Sequence, residues 1–106
     1  MNLKNICKTC SLKQTEIDYY NELGLFDEEL SQNSPLSDSQ IETLCTISIL
    51  RGAGLKKEQA AEYFIRPQNR ILILTNLRGE LLEAMHEKCK YIDKIDYLLR
   101  ELQNKK

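Results

Sequence analysis

From Ile73 onward the apolar residues recur in steps of three and four. They are Leu74, Leu77, Leu81, Met85, Cys89, Ile92, Ile95, Leu99 and Leu102. That spacing predicts one stripe on one continuous helix, held for about eight turns at about 3.6 residues per turn. A helix over the whole stretch from Pro67 to Lys106 spans roughly 55 Å or a little more at about 1.5 Å per residue. A compact domain of this size has a radius of gyration of only about 13 Å. Part of the stripe should therefore project from the globular part. A projecting apolar stripe is expected to be covered by a second copy or by another helix. The first expectation is a homodimer built on Leu74, Leu77, Leu81, Met85, Cys89, Ile92, Ile95 and Leu99.

Upstream the pattern is shorter and broken. Leu3, Ile6 and Cys7 share one side of a helix predicted over Leu3–Cys10. Ser11 reads as the N-cap of a second helix or as part of a tight turn before it. The second helix is predicted over Lys13–Leu23, with Ile17, Tyr20 and Leu23 inward, Tyr19 beside them, and Gly24 as the left-handed stop. Two short helices joined by about three residues fit a helix-turn-helix. From Leu25 to Leu36 the periodicity lapses into a polar, turn-rich stretch, a loop or short wing.

Ser37 with Gln40 three residues on forms a capping box for a third helix. Ile41, Leu44, Cys45, Ile47, Ser48 and Leu50 give that helix a broad inward face, and Gly52 and Gly54 close it. A fourth helix is predicted from Lys56 to Phe64, with Ala60, Tyr63 and Phe64 inward. Pro67 suits the first turn of the long helix, where its missing N–H has no partner to lose. Gly79 weakens that helix by about 1 kcal/mol against alanine. The expected organisation is an all-α chain with a helix-turn-helix domain at 1–66 and a dimerisation helix at 67–106.

With 106 residues one domain is the default, and about sixty-five residues outside the long helix can bury only a modest core. A 29% charged, 42% hydrophobic composition is ordinary for a soluble, helix-rich protein. There is no apolar run of membrane-spanning length and no signal-peptide core, so no membrane partner and a cytoplasmic location are expected. The cysteines at 7, 10, 45 and 89 are then expected as free thiols, Cys45 and Cys89 acting as small hydrophobes. Cys7 and Cys10 form a C-x-x-C whose second pair is missing, and His86 lies three residues before Cys89. Neither makes a four-ligand zinc site, and no metal or cofactor is expected. No nucleophile–base pair, Gly-rich phosphate loop or carboxylate pair with a pocket is legible, so the chain does not read as an enzyme.

Tyr19-Tyr20-Asn21-Glu22-Leu23-Gly24-Leu25 resembles the Y-Y-E-x-x-G-L core of the MerR family of bacterial transcription regulators. Leu36 to Leu44 resembles that family's Y-S-x-x-D-l-x-x-L. Arg51-Gly52-Ala53-Gly54-Leu55 lies where the family places its second wing, and the stripe after Pro67 resembles its dimerisation helix. The resemblance spans nearly the whole chain. It implies a winged helix-turn-helix with an antiparallel coiled coil, binding promoter DNA as a two-fold dimer with the second helix in the major groove. The residues expected to contact double-stranded DNA are Lys8, Lys13, Thr15, Tyr19, Tyr20 and Arg51. The tyrosines match phosphate-contacting and core-packing positions, and Arg51 matches a basic wing position. No segment follows in which the family's effector domain would lie, so a short form without an organic effector is expected.

Charge complicates this reading. Net charge is only −1, so no global basic field announces nucleic acid. Asp18 stands where the family writes arginine, replacing a phosphate partner with a repelling carboxylate. The stretch from Ser31 to Leu36 carries neither the arginine nor the tyrosine of the family's first wing. Residues 1–30 hold three lysines against six acids, whereas residues 67–106 hold eight basic and six acidic side chains. Weak DNA binding is expected. The alternative is a protein-interaction module, an adaptor or anti-regulator that keeps the fold and has lost its DNA contacts.

Overall fold

The computed structural model of the chain describes residues 2–31 and 34–105. These form α1 (Leu3–Cys10), α2 (Gln14–Glu22), α3 (Asp38–Gly52), α4 (Lys57–Ile65), a 3-10 turn (Pro67–Asn69) and α5 (Arg70–Asn104). Among the described residues there is no strand. The chain divides into two units, Met1–Ile73 and Leu74–Lys106. The division falls inside α5, seven residues beyond the boundary expected at Pro67.

The helix ends have identifiable causes. The Asn2 side chain accepts from the Asn5 N–H at 2.9 Å and so caps α1. Ser11 is not an N-cap. It ends α1 in the left-handed region (φ 56°), where its own N–H returns to the Cys7 carbonyl. That is the tight-turn alternative, and it leaves Lys13 at the head of α2 with no side-chain cap. The capping box at α3 is complete: Ser37 Oγ accepts from the Gln40 N–H at 3.1 Å, and Gln40 Oε1 accepts from the Ser37 N–H at 2.8 Å. Gly24 (φ +76°) follows α2 and Gly54 (φ +115°) follows α3, conformations that side-chain-bearing residues rarely adopt.

The core of the first unit gathers Leu3 and Ile6 of α1, Leu12 of the turn, Ile17 and Tyr20 of α2, Leu44 and Ile47 of α3, and Ala61 of α4. Ala61 was not expected. It lies beside Ala60, and both small side chains are buried where α4 comes close. Tyr63 and Phe64 are only half-buried; they meet edge to face at 5.1 Å, and the Arg70 guanidinium lies over both rings at 4.9 and 5.6 Å. Cys45 departs from expectation more clearly. The inner face of α3 is Leu44, Ile47 and Leu50, and Cys45, one position round, is exposed. Leu23 is exposed as well.

The aperiodic stretch after α2 is not a bare loop. Phe26 and Leu36 are buried in the core at its two ends, and Leu25 and Leu30 pack against it. Asn21 receives the Leu30 N–H at 3.0 Å, Gln40 Nε2 donates to the Glu28 carbonyl at 3.0 Å, and Ser39 Oγ donates to Asp27 at 2.9 Å. Polar side chains of the flanking helices thus satisfy a backbone that forms no ladder. The first-wing position, Ser31 to Leu36, includes Gln32 and Asn33, which lie outside the described residues.

The second unit is the helix from Leu74 onward. Its apolar residues are largely uncovered: Leu74, Leu81, Met85, Ile92, Ile95, Leu99 and Leu102 are all exposed, and so is Cys89. Leu77 is the exception at 7% exposure. Cys89 therefore does not sit in a core of this single chain. No helix among the described residues is long and apolar enough to cross a membrane.

Candidate nucleic-acid interface

The α1–turn–α2 element is fixed from inside. Ile17 is 1% exposed and Tyr20 is fully buried, so α2 has one rotational setting against α1 and α3. Its outward positions are then Lys13, Thr15, Asp18 and Glu22, all exposed. Gln14 Nε2 donates to Asp18 Oδ1 at 2.9 Å, one turn along the same face. The outward face of α2 therefore carries one cation and two carboxylates. Lys8, in the last turn of α1, is exposed too.

The six candidate contact residues separate into two groups. Lys8, Lys13 and Thr15 reach solvent, and Tyr19 is half-buried with its ring against Tyr20 (centroids 5.4 Å apart). Tyr20 packs in the core, and its hydroxyl donates to Glu16 Oε2 at 2.8 Å. Arg51 occupies the last turn of α3 and is committed to its own chain. Its Nε and Nη2 reach the Glu16 carboxylate at 2.9–3.1 Å, and its Nη1 donates to the Leu55 carbonyl at 2.7 Å. This fork joins α2, the end of α3 and the turn after it.

Glu16 is the residue that sequence reasoning passed over. Burial pushes its carboxyl up, but hydrogen bonds from Arg51 and Tyr20, with the Arg51 charge, outweigh burial and hold it below the ordinary value. The Tyr20 hydroxyl is pushed well above its usual range by burial and then by Glu16. Glu16 and Arg51 are 35 positions apart, and no local spacing pairs them. Lys57 was missed likewise. From the first turn of α4 its Nζ stands 4.9 Å over the Tyr19 ring, which sets a further cation beside α2.

A groove of about 540 Å³ runs between the α1–α2 turn and α3, lined by Thr9, Cys10, Lys13, Glu16, Ser48 and Arg51 among others. No group of three or more His, Cys, Asp or Glu is placed to hold a metal among the described residues, and His86 and Cys89 are both exposed on α5. The arrangement offers surface recognition: hydroxyl, ammonium and carboxylate groups on a rigid helix. No family model matches this chain, and neither a curated protein nor a solved structure does.

Proposed function

We propose that the chain is a MerR-like transcription regulator that binds promoter DNA as a homodimer. In this reading α1 and α2 are the helix-turn-helix, the segments after α2 and α3 stand in place of wings, and α5 pairs antiparallel with its twin. The observation that carries it is the setting of α2. Tyr20 and Ile17 anchor one side in the core while Lys13 and Thr15 stand free on the other, with Lys8 and Lys57 on flanking helices. Those cations supply phosphate contacts, and Thr15 can meet a base edge.

The stripe on α5 supports the dimer. Met85, Ile92 and Leu99 repeat every seven residues, as do Leu74, Leu81, Ile95 and Leu102 once Lys88 is passed. These are two seams of one heptad pattern, interrupted by Arg78 and Lys88. Leu77 and Cys89 flank the seams.

The test is a gel-shift series at low salt, using the DNA upstream of the protein's own operon against random duplex. A specific shift whose log affinity falls with log salt by about 0.9 per phosphate contact supports the proposal. No shift beyond random DNA at any protein concentration removes it.

A second reading rests on Asp18 and on Arg51. The helix that would enter the groove shows Asp18 and Glu22 outward, and the arginine of the wing position is held by Glu16. Such a face suits a basic protein partner, and the chain then acts as an adaptor or anti-regulator. A pull-down that returns only DNA counts against it.

A further inference from the structure

Cys10 and Cys45 stand on opposite sides of the contact between α1 and α3. Ser48 Oγ donates to the Cys10 carbonyl at 3.0 Å, which seats the end of α1 on that stretch of α3. Cys45 lies three residues before Ser48, one turn along the same face. Burial first, and then the nearby Cys45, raise the Cys10 thiol pKa. Cys10 is half-buried and packs against the core, whereas Cys45 is exposed. Cys45 is thus the more accessible thiol of the two.

We propose that Cys10 and Cys45 are a redox-reactive pair that closes to a disulfide in the presence of a low-molecular-weight disulfide. The Cys45 thiolate attacks one sulfur of the small disulfide, forms a mixed disulfide and releases one thiolate. The Cys10 thiolate then attacks the Cys45 sulfur, forms the Cys10–Cys45 bond and releases the second. The two protein thiols are oxidised, the small disulfide is reduced to two thiols, and the two protons pass to those leaving groups. The reaction is independent of the DNA-binding proposal.

Cys7 is the weaker partner for Cys10. Both are on α1 at a spacing of three, where Cβ atoms stand about 5–6 Å apart. A disulfide needs about 3.5–4.5 Å, so α1 would have to unwind. Cys7 is also occupied: its thiol donates to Gln14 Oε1 at 3.7 Å. A bridge to Cys45 would join two different helices and fasten the end of α1 to α3.

The experiment equilibrates the full-length protein with reduced and oxidised glutathione over a range of ratios. Free thiols are then alkylated, and the protein is mapped by mass spectrometry. The expected result is a peptide pair joined through Cys10 and Cys45, reversed by excess reduced glutathione. It should be lost in Cys45→Ser, an exposed substitution that leaves the core untouched, and retained in Cys89→Ser and Cys7→Ser. Oxidation that stops at a glutathione adduct on Cys45, or that joins Cys7 to Cys10 or one chain to another, overturns the proposal.

Discussion

The Arg51 guanidinium holds both oxygens of the Glu16 carboxylate, and the Tyr20 hydroxyl completes the site from the core side. Glu16 is thus the junction between the fixed face of α2 and the end of α3. Glu16→Ala leaves a half-buried guanidinium and a buried hydroxyl without their acceptor. We expect a loss of about 1–2 kcal/mol, discounted because Arg51 is partly in solvent. Urea unfolding checks it, with a lowered midpoint at unchanged slope; an unchanged midpoint shows the fork to be idle.

The same junction sets a pH dependence. The folded-state pKa of Glu16 lies below its ordinary 4.5, so its stabilisation is present above that value and lost as pH falls through the folded pKa. Tyr20 has the opposite sign. Its folded-state pKa lies above 10.0, so its stabilisation is full below that value and is lost as pH rises through the folded pKa. Denaturation midpoints followed across pH should fall at both ends. Glu16→Gln should flatten the acid limb and Tyr20→Phe the alkaline limb.

Asp18 is the outward carboxylate in the middle of α2, and Lys13 the outward cation at its head. If α2 lies on DNA, Asp18→Asn should tighten binding on every sequence, since it removes a repulsion from phosphate. Lys13→Ala should weaken binding and reduce the salt slope by about 0.9. Fluorescence anisotropy of a labelled duplex at several salt concentrations reads both. Equal affinities for all three proteins would place α2 away from the phosphates.

Ile95 and Lys88 lie seven residues apart on α5, one apolar and one charged, and both fall on the seam if α5 pairs with its twin. Ile95→Lys should shift the protein to a monomer in sedimentation equilibrium, because it buries a second ammonium in the seam. Lys88→Leu should lower the dimer dissociation constant. A wild-type protein that sediments as a monomer at micromolar concentration sinks the dimer and both predictions.

Two glycines should respond oppositely to alanine. Nothing lies within 4 Å of a Cβ built on Gly79 in α5, so Gly79→Ala should stabilise that helix by about 1 kcal/mol. Gly54 also has room, but its φ of +115° is strained for alanine, so Gly54→Ala should lower the melting temperature. Thermal unfolding followed by circular dichroism separates the two.

The helices themselves were legible in the residues. Periodicity placed all five within a few positions, and Ser37 with Gln40 announced the start of α3 because a capping box is a local device. Gly24 and Gly54 marked stops for the same reason: a backbone turn is decided by the residue that makes it. The all-helical class and the apolar stripe of α5 follow from spacing alone. Partners distant along the chain were not legible. Glu16 with Arg51 and Lys57 with Tyr19 have no spacing in common, and each pair meets only when helices pack. Cys45 read as inward because period alone cannot separate the centre of a helix face from its edge; the neighbouring helix makes that choice. Phe26 and Leu36 were hidden in an aperiodic stretch because a buried loop residue answers to the shape of the core, which exists only once the helices have assembled.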